Sequence, residues 1–310
     1  MFSTCSSVLF QDVRVAVAEA YMERVGIVGW GLVGSAIGRR LVESGYSVFA
    51  CDIDPSRKAD IVEAAVESCE TISEVAEQAS QLIVALFSSD QVVKALTGTD
   101  GILAFPGHTV IDVTTADPAD SEHLSQVLGQ SGISYLDAPL SGSSHDIRNG
   151  WGVFLVGGSH EEYRNHEVLF SSIANAALYV GPSGSGSRAK LATNLVLGLN
   201  RAALAEGIVF ARAMGIKTED FISIVRQTAA YSHAVDSKGE KFIRDDYTPQ
   251  SRVSQHRKDL DLITAYAMKA GFELPLGTLH RQLLMEAEQA GWGELDTAAV
   301  LKAIEARRFD

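Results

Sequence analysis

Residues 24–54 read RVGIVGWGLVGSAIGRRLVESGYSVFACDID, and the fold is decided in this stretch. Val25-Gly26-Ile27-Val28 is a short apolar run with the pattern of a buried strand. Gly29-Trp30-Gly31-Leu32-Val33-Gly34 follows, then a helical pattern, then a second strand from Ser47 to Cys51 with Asp52 at its end. Three glycines at this spacing say little alone. Placed after a strand, before a helix and about 20 residues ahead of an acid, they form a dinucleotide-binding turn. Gly29 permits the tight turn, Gly31 lets a pyrophosphate approach the backbone, and Gly34 lets helix and strand pack closely. The helix N-terminus offers N–H groups and the positive end of its dipole to the phosphates. Asp52 accepts from both hydroxyls of an adenosine ribose and repels a 2′-phosphate, which favours NAD over NADP. Arg57 lies close enough in sequence to weaken that preference. Cofactor contacts are thus expected from Gly29, Trp30, Gly31, Leu32, Val33, Gly34 and Asp52.

Strand and helix patterns continue outward from this unit. Gln81 to Phe87 reads as a buried strand, followed by a helix through Leu96 with Ser89 or Asp90 as its N-cap. Thr109 to Val113 is the next strand, and Asp117-Pro118 open the next helix. Ser134 to Ala138, Gly152 to Gly158 and Ala176 to Gly181 complete the strands. Alternating strands and helices predict an α/β Rossmann-type, doubly wound parallel sheet. Ligands of such sheets sit outside the carboxyl ends of the strands, which adds Leu86, Phe87, Ser88, Thr114 and Thr115 to the candidate cofactor contacts.

The run Pro182-Ser183-Gly184-Ser185-Gly186-Ser187 is the clearest break in composition. Beyond it every pattern is helical: Ser187 to Met214, Glu219 to Ala229, Arg257 to Ala270, Leu279 to Ala290, and Thr297 to Ala306 capped by Asp296. The expected organisation is an N-terminal extension (1–22), an NAD-binding domain (23–182), and an all-α C-terminal domain (183–310) joined through a long helix. At 310 residues the chain has room for two cores. A net charge of −13 speaks against nucleic acid. No apolar run approaches the ~18 residues of a membrane span, so no membrane partner is expected. Cys5, Cys51 and Cys69 form neither a CxxC motif nor an even framework, which fits a reducing, cytoplasmic setting. The histidines show no metal-ligand spacing, and no metal is expected.

In the long helix, Lys190 lies in an apolar stretch, Ala189 to Leu199, broken only by itself, Thr193 and Asn194. A desolvated ammonium has a lowered pKa, which suits it to proton transfer near neutral pH. Asn194, four residues on, shares its face and can hold a substrate oxygen.

Several motifs in order resemble the β-hydroxyacid dehydrogenase family, best known from 3-hydroxyisobutyrate dehydrogenase. They are the glycine turn, Asp137-Ala138-Pro139-Leu140-Ser141-Gly142, Gly184-Ser-Gly-Ser-Arg-Ala-Lys190 with Asn194, and Lys258-Asp259-Leu260. The resemblance spans about residues 23 to 305. It implies NAD(P)-dependent, reversible oxidation of a small 3-hydroxy acid to its aldehyde or ketone. Lys190 would be the acid/base residue and Asn194 a substrate ligand. Ser141, Gly142 and Ser143 would cradle the substrate carboxylate, and Lys258 would approach the nicotinamide. A homodimer or homotetramer built through the helical domain is also implied.

Some residues depart from the family pattern. Ser143 replaces a glycine, His145-Asp146-Ile147 replace smaller residues, Trp151 follows Gly150, and Trp30 and Val33 are unusual in the turn. The bulkier loop points to an acid more polar or longer than 3-hydroxyisobutyrate, with His145 or Arg148 reaching its far end or, as readily, both pointing to solvent. Asp259 and Asp261 read as charges on a helix surface. The alternatives are a reductase of larger semialdehydes or of imines, the imine-reducing relatives generally lacking the lysine, and a non-catalytic NAD-binding module.

Overall fold

A computed structural model describes residues 23–307, so the extension expected over 1–22 lies outside the described residues. The chain divides into two compact units, the first ending at Gly184 and the second starting at Ser185.

Among the described residues unit 1 has nine strands: β1 (Arg24–Val28), β2 (Ser47–Cys51), β3 (Glu67–Ser68), β4 (Gln81–Val84), β5 (Thr109–Asp112), β6 (Ser134–Asp137), β7 (Leu140–Ser141), β8 (Val153–Gly157) and β9 (Ala176–Gly181). Its α-helices are α1 (Leu32–Glu43), α2 (Lys58–Glu63), α3 (Ile72–Gln78), α4 (Ser89–Thr97), α5 (Pro118–Gln130), α6 (Ser144–Arg148), α7 (His160–Asn165) and α8 (Glu167–Ile173). The strand order is β3-β2-β1-β4-β5-β6-β8-β7, with β9 paired to β8. The chain runs outward from β1 to β3 and then returns to the other side of β1 at β4. This reversal opens a crevice at the carboxyl ends of β1 and β4, where dinucleotides bind in such sheets.

Successive strand residues feed opposite cores. Val48, Ala50, Ile83 and Ile111 join one, while Phe49, Cys51, Leu82, Val84 and Val110 join the other. A sheet covered on both faces needs apolar side chains at every position, which is why these strands read as unbroken apolar runs. The sheet is not wholly parallel, however. β1 to β6 run parallel to one another, whereas β8 runs antiparallel to β6 and β7. β7 keeps the direction of β6, and the chain reverses in the short segment 142–152, too short for the crossover that a parallel partner needs. The strand expected through Phe87 stops at Val84, and the cap of the next helix is Ser88, whose side chain accepts from the Gln91 N–H.

Unit 2 is helical: α9 (Ser185–Ala213), α10 (Thr218–Arg226), α11 (His233–Arg244), α12 (Val253–Lys269), α13 (Pro275–Gln289) and α14 (Val300–Glu305). Its core draws Leu191, Leu204, Ala205 and Ile208 from α9, Phe242 from α11, Leu260 from α12 and Leu284 from α13. By length and composition α9 could cross a membrane, contrary to the hydropathy reading of the sequence. Here it is the central helix of unit 2, and Lys190, Asn194 and Arg201 are among its buried residues. The sequence pattern does not reveal α11, because its buried stripe includes Lys238, Gly239 and Lys241. Lys238 donates to both Asp296 oxygens, at 2.7 and 2.9 Å, with the two side chains 1% and 0% exposed.

Candidate active site

In unit 1 the crevice is lined first by main chain. Gly29 has φ +96°, and a Cβ there would come within 2.5 Å of the Ala85 carbonyl oxygen. A Cβ on Gly34 would lie 1.9 Å from the Gly29 carbonyl oxygen, so helix and strand can approach this closely only with glycine. Nothing stands within 4 Å of the corresponding point on Gly31, so this side of the turn is open. Helices α3, α4, α5, α6 and α7 each have an N-cap side chain accepting a first-turn N–H. Helix α1 begins from Gly31 without one. Its first-turn N–H groups lack that partner, as an anion site requires.

Asp52 stands beside the turn. Its Oδ2 accepts the Trp30 backbone N–H, and its Oδ1 accepts the Asp54 N–H at 2.8 Å. Trp30, expected at the cofactor, instead turns its ring into the core and is 1% exposed. Only its main chain belongs to the turn. Leu32 is half-buried at the start of α1, and Val33 packs against the core cluster beneath the sheet.

Across the crevice, the Leu86 N–H donates to Thr114 Oγ1 at 3.1 Å, which joins the ends of β4 and β5. Ser88 is committed to its cap, Thr115 is half-buried, and Phe87 is exposed. Asp112 accepts from the Thr114 N–H and the Tyr135 hydroxyl, both at 2.9 Å. Burial pushes its carboxyl up to about 6. This residue fixes the turn that carries Thr114 and Thr115, a role that its strand pattern does not announce.

The loop after β6 holds the residues that depart from the family pattern. Ser143 caps α6, and both its N–H and its hydroxyl donate to Asp146, at 2.8 and 2.7 Å. Both donors expected to meet the substrate carboxylate are engaged by Asp146. Ser141, on β7, and Gly142, at φ +152°, remain as the loop's contribution. Arg148 makes a two-pronged ion pair with Glu43, so it does not reach for the far end of a substrate. His145 stands edge-on to Trp151, with ring centroids 6.3 Å apart.

Unit 2 gathers the other candidates. Lys190, Asn194 and Gly198 follow one another at four-residue spacing and share one face of α9, all three buried. Lys190 is 6% exposed. From α12, Asp259 accepts the Asn194 amide at 2.9 Å and pairs with the Lys258 ammonium at 3.1 Å. Burial pulls the Lys190 amine down to about 8; Asp259 opposes this, while Arg201 and Lys258 reinforce it. Asp259 itself is held above the usual carboxylate range by burial. Two sequence expectations change here. Asp259 is a buried member of the cluster, not a surface charge, and Lys190 sits among charges, not in purely apolar surroundings. Asp261, by contrast, makes the surface pairs with Arg257 and Arg281 that its reading implied.

The sequence did carry a signal for Asp259. Val253, Leu260 and Ile263 mark the buried face of α12, and His256 and Asp259 fall on that face. His256 and His280 meet beside Gly198, with ring centroids 5.3 Å apart. A Cβ on Gly198 would lie 2.2 Å from His256 Nε2. Among the described residues, no group of three or more His, Cys, Asp or Glu side chains could hold a metal ion.

Residues 24–181 match the family model of the NAD binding domain of 6-phosphogluconate dehydrogenase. Residues 184–304 match the NAD-binding model of NADP-dependent 3-hydroxyisobutyrate dehydrogenase. The chain belongs to the β-hydroxyacid dehydrogenase family. It is an NAD(P)-dependent oxidoreductase. It is 28% identical over 285 residues to 2-(hydroxymethyl)glutarate dehydrogenase of Eubacterium barkeri, covering 91% of this chain and 95% of that protein. It is also 28% identical over 281 residues to L-threonate dehydrogenase of Cupriavidus necator, covering 90% and 95%. Among solved structures it resembles 3-hydroxyisobutyrate dehydrogenase from Salmonella typhimurium, with a TM-score of 0.82, 27% identity, and coverage of 90% and 99%. The open Gly31 and the uncapped start of α1 suit the dinucleotide this β-hydroxyacid dehydrogenase family uses. A Cβ at position 31 would fill the space that a pyrophosphate needs.

Proposed function

We propose that this dehydrogenase uses NAD to oxidise a small 3-hydroxy acid bearing a second polar end, with Lys190 as the acid/base residue. The carrying observation is the buried Lys190 amine, lowered to about 8 beside Asp259 and Asn194. An amine with that pKa exists in both protonation states near neutral pH, the condition for efficient proton exchange. When bound, the nicotinamide supplies the hydride acceptor. Lys190, as the neutral amine, takes the proton of the substrate hydroxyl; as the ammonium it returns that proton in reduction. Asn194, oriented by Asp259, holds a substrate oxygen one helical turn away. The family resemblance gives the carboxylate to Ser141 and the Gly142 backbone and a cofactor contact to Lys258.

The preference for NAD is supported by the surroundings of Asp52. Each nearby cation already has an acidic partner: Arg39 with Asp60, Arg57 with Asp54 at 3.5 Å, and Lys58 with Glu70. Such pairing leaves a 2′-phosphate poorly matched. A substrate more polar than 3-hydroxyisobutyrate is supported by the names of the relatives, a hydroxymethyl dicarboxylic acid and a polyhydroxy acid. A homodimer or homotetramer through unit 2 is supported by the exposed Val196, Phe210, Leu276 and Leu279, more apolar surface than a solvated helix face carries.

The test is reduced-nicotinamide formation from hydroxymethyl dicarboxylic, polyhydroxy and 3-hydroxyisobutyric acids, each with NAD and with NADP. The proposal expects turnover with NAD and one of the more polar acids. Preference for the small apolar acid, or reduction of imines alone, would overturn it.

A further inference from the structure

We propose that Asp60 is a specificity-determining residue for the cofactor, acting through Trp30 and Arg39; the inference rests on the NAD preference argued above. Asp60 Oδ2 accepts the Trp30 indole N–H at 2.6 Å, and its Oδ1 accepts the Arg39 guanidinium. Together with the bond from the Trp30 backbone N–H to Asp52, these contacts tie four segments together. The segments are the glycine turn, the end of β2, helix α2 and the third turn of α1.

The Trp30 ring has little freedom. A Cβ on Gly38 would sit 2.4 Å from two of its ring carbons, so glycine at this position makes room for the indole. A buried indole N–H needs an acceptor, and Asp60 supplies it. Fixing the ring fixes the backbone N–H of the same residue, which holds one oxygen of Asp52. The Asp60 carboxylate therefore helps set the acid that reads the ribose without being that acid.

The second limb is electrostatic. A guanidinium is a planar, permanently charged donor well suited to phosphate. Arg39 is paired to Asp60, whose other oxygen holds the Trp30 indole, so the guanidinium is neutralised beside the residue whose backbone N–H holds Asp52. Loss of the Asp60 charge releases this cation, and loss of its oxygen also loosens Trp30. The first change favours NADP and the second weakens use of NAD, so both lower the ratio of NAD to NADP use.

The two limbs separate by substitution. Asp60→Asn keeps a carbonyl oxygen for the indole but removes the charge that holds Arg39; Asp60→Ala removes both. Trp30→Phe removes the indole N–H and leaves the Asp60–Arg39 pair in place. The readout is kcat/KM with NAD divided by kcat/KM with NADP, together with KM, kcat and the melting temperature of each full-length variant. Asp60→Ala should lower the ratio about tenfold, the scale of one charge-assisted contact, mainly through KM. Asp60→Asn should lower it less, and Trp30→Phe should raise the KM for NAD without improving use of NADP. Folded Asp60 variants with an unchanged ratio would overturn the inference. A wild-type protein that prefers NADP would overturn the NAD reading alone. In that case a further shift toward NADP in Asp60→Ala still upholds the role of Asp60, and an unchanged ratio overturns it.

Discussion

The glycine turn of unit 1 and the lysine cluster of unit 2 are built on opposite terms. At the turn, the atoms that matter are main-chain N–H groups, and the decisive feature is the missing Cβ at Gly29, Gly31 and Gly34. In the cluster, the atoms that matter are side-chain charges held away from water, brought by α9 and α12 from positions 65 residues apart. The turn is spoiled by adding an atom. The cluster is spoiled by removing a charge. Unit 2 also contains an internal contrast, because burial lowers a second amine, that of Lys238, to about 8 as well. Lys238 is bidentate on Asp296, which in turn accepts the Gln250 and Ala298 N–H groups. A lowered pKa therefore does not mark a working lysine; its partners do.

The largest expected effects separate these two lysines. Lys190→Met should lower turnover about 100-fold or more, the scale of lost general acid–base catalysis, while leaving dinucleotide affinity nearly unchanged. Lys238→Met leaves Asp296 as an unpaired buried carboxylate and should destabilise unit 2 by about 3–5 kcal/mol. Denaturant midpoints and single-turnover rates measured on both variants would show whether the two roles part in this way. A Lys190 variant that loses its stability but retains its turnover would erase the contrast.

The turn should divide just as sharply. Gly34→Ala places a methyl 1.9 Å from a carbonyl oxygen and should lower the melting temperature markedly. Gly31→Ala meets no protein atom and should leave stability nearly untouched while raising the KM for the cofactor. Calorimetry with and without NAD distinguishes the two.

How much of this was legible follows from the same contrast. The turn could be read because its parts lie within 31 consecutive residues, with the acid at the expected remove. Lys190 and Asn194 could be read because both lie on one helix. The periodicity of α12 puts His256 and Asp259 on its buried face, but that they meet Asn194 and, with His280, Gly198 depends on contacts between helices that no local pattern encodes. Trp30 shows the reverse case. The motif numbered it among the cofactor residues, but its ring is a core side chain under Gly38. The resemblance gives Ser143 to the substrate, but resemblance does not show that Asp146 and Glu43 engage Ser143 and Arg148, because those pairings depend on the fold of this particular loop.

A smaller effect concerns acid. Burial lowers His280 to about 4 and His256 well below its ordinary value, with Arg201 nearby reinforcing both shifts. The unfolded chain then binds protons that the folded unit 2 refuses. Stability contributed by the neutral rings is present above about 6.5 and falls as the pH drops toward about 4. Thermal melts across that range should slope downward into acid, and His280→Leu should flatten part of the slope. An unchanged slope would show that the pair does not titrate with unfolding.

The central claim, that the Lys190 amine takes the substrate proton, is tested most directly by the pH dependence of kcat for oxidation. The neutral amine is the active form, so the rate should rise through a pKa of about 8 and level off. In Asp259→Asn, which lacks the charge that holds the ammonium, this limb should move to lower pH. A wild-type profile that is flat from acid to alkali, or that falls where it should rise, would contradict the account.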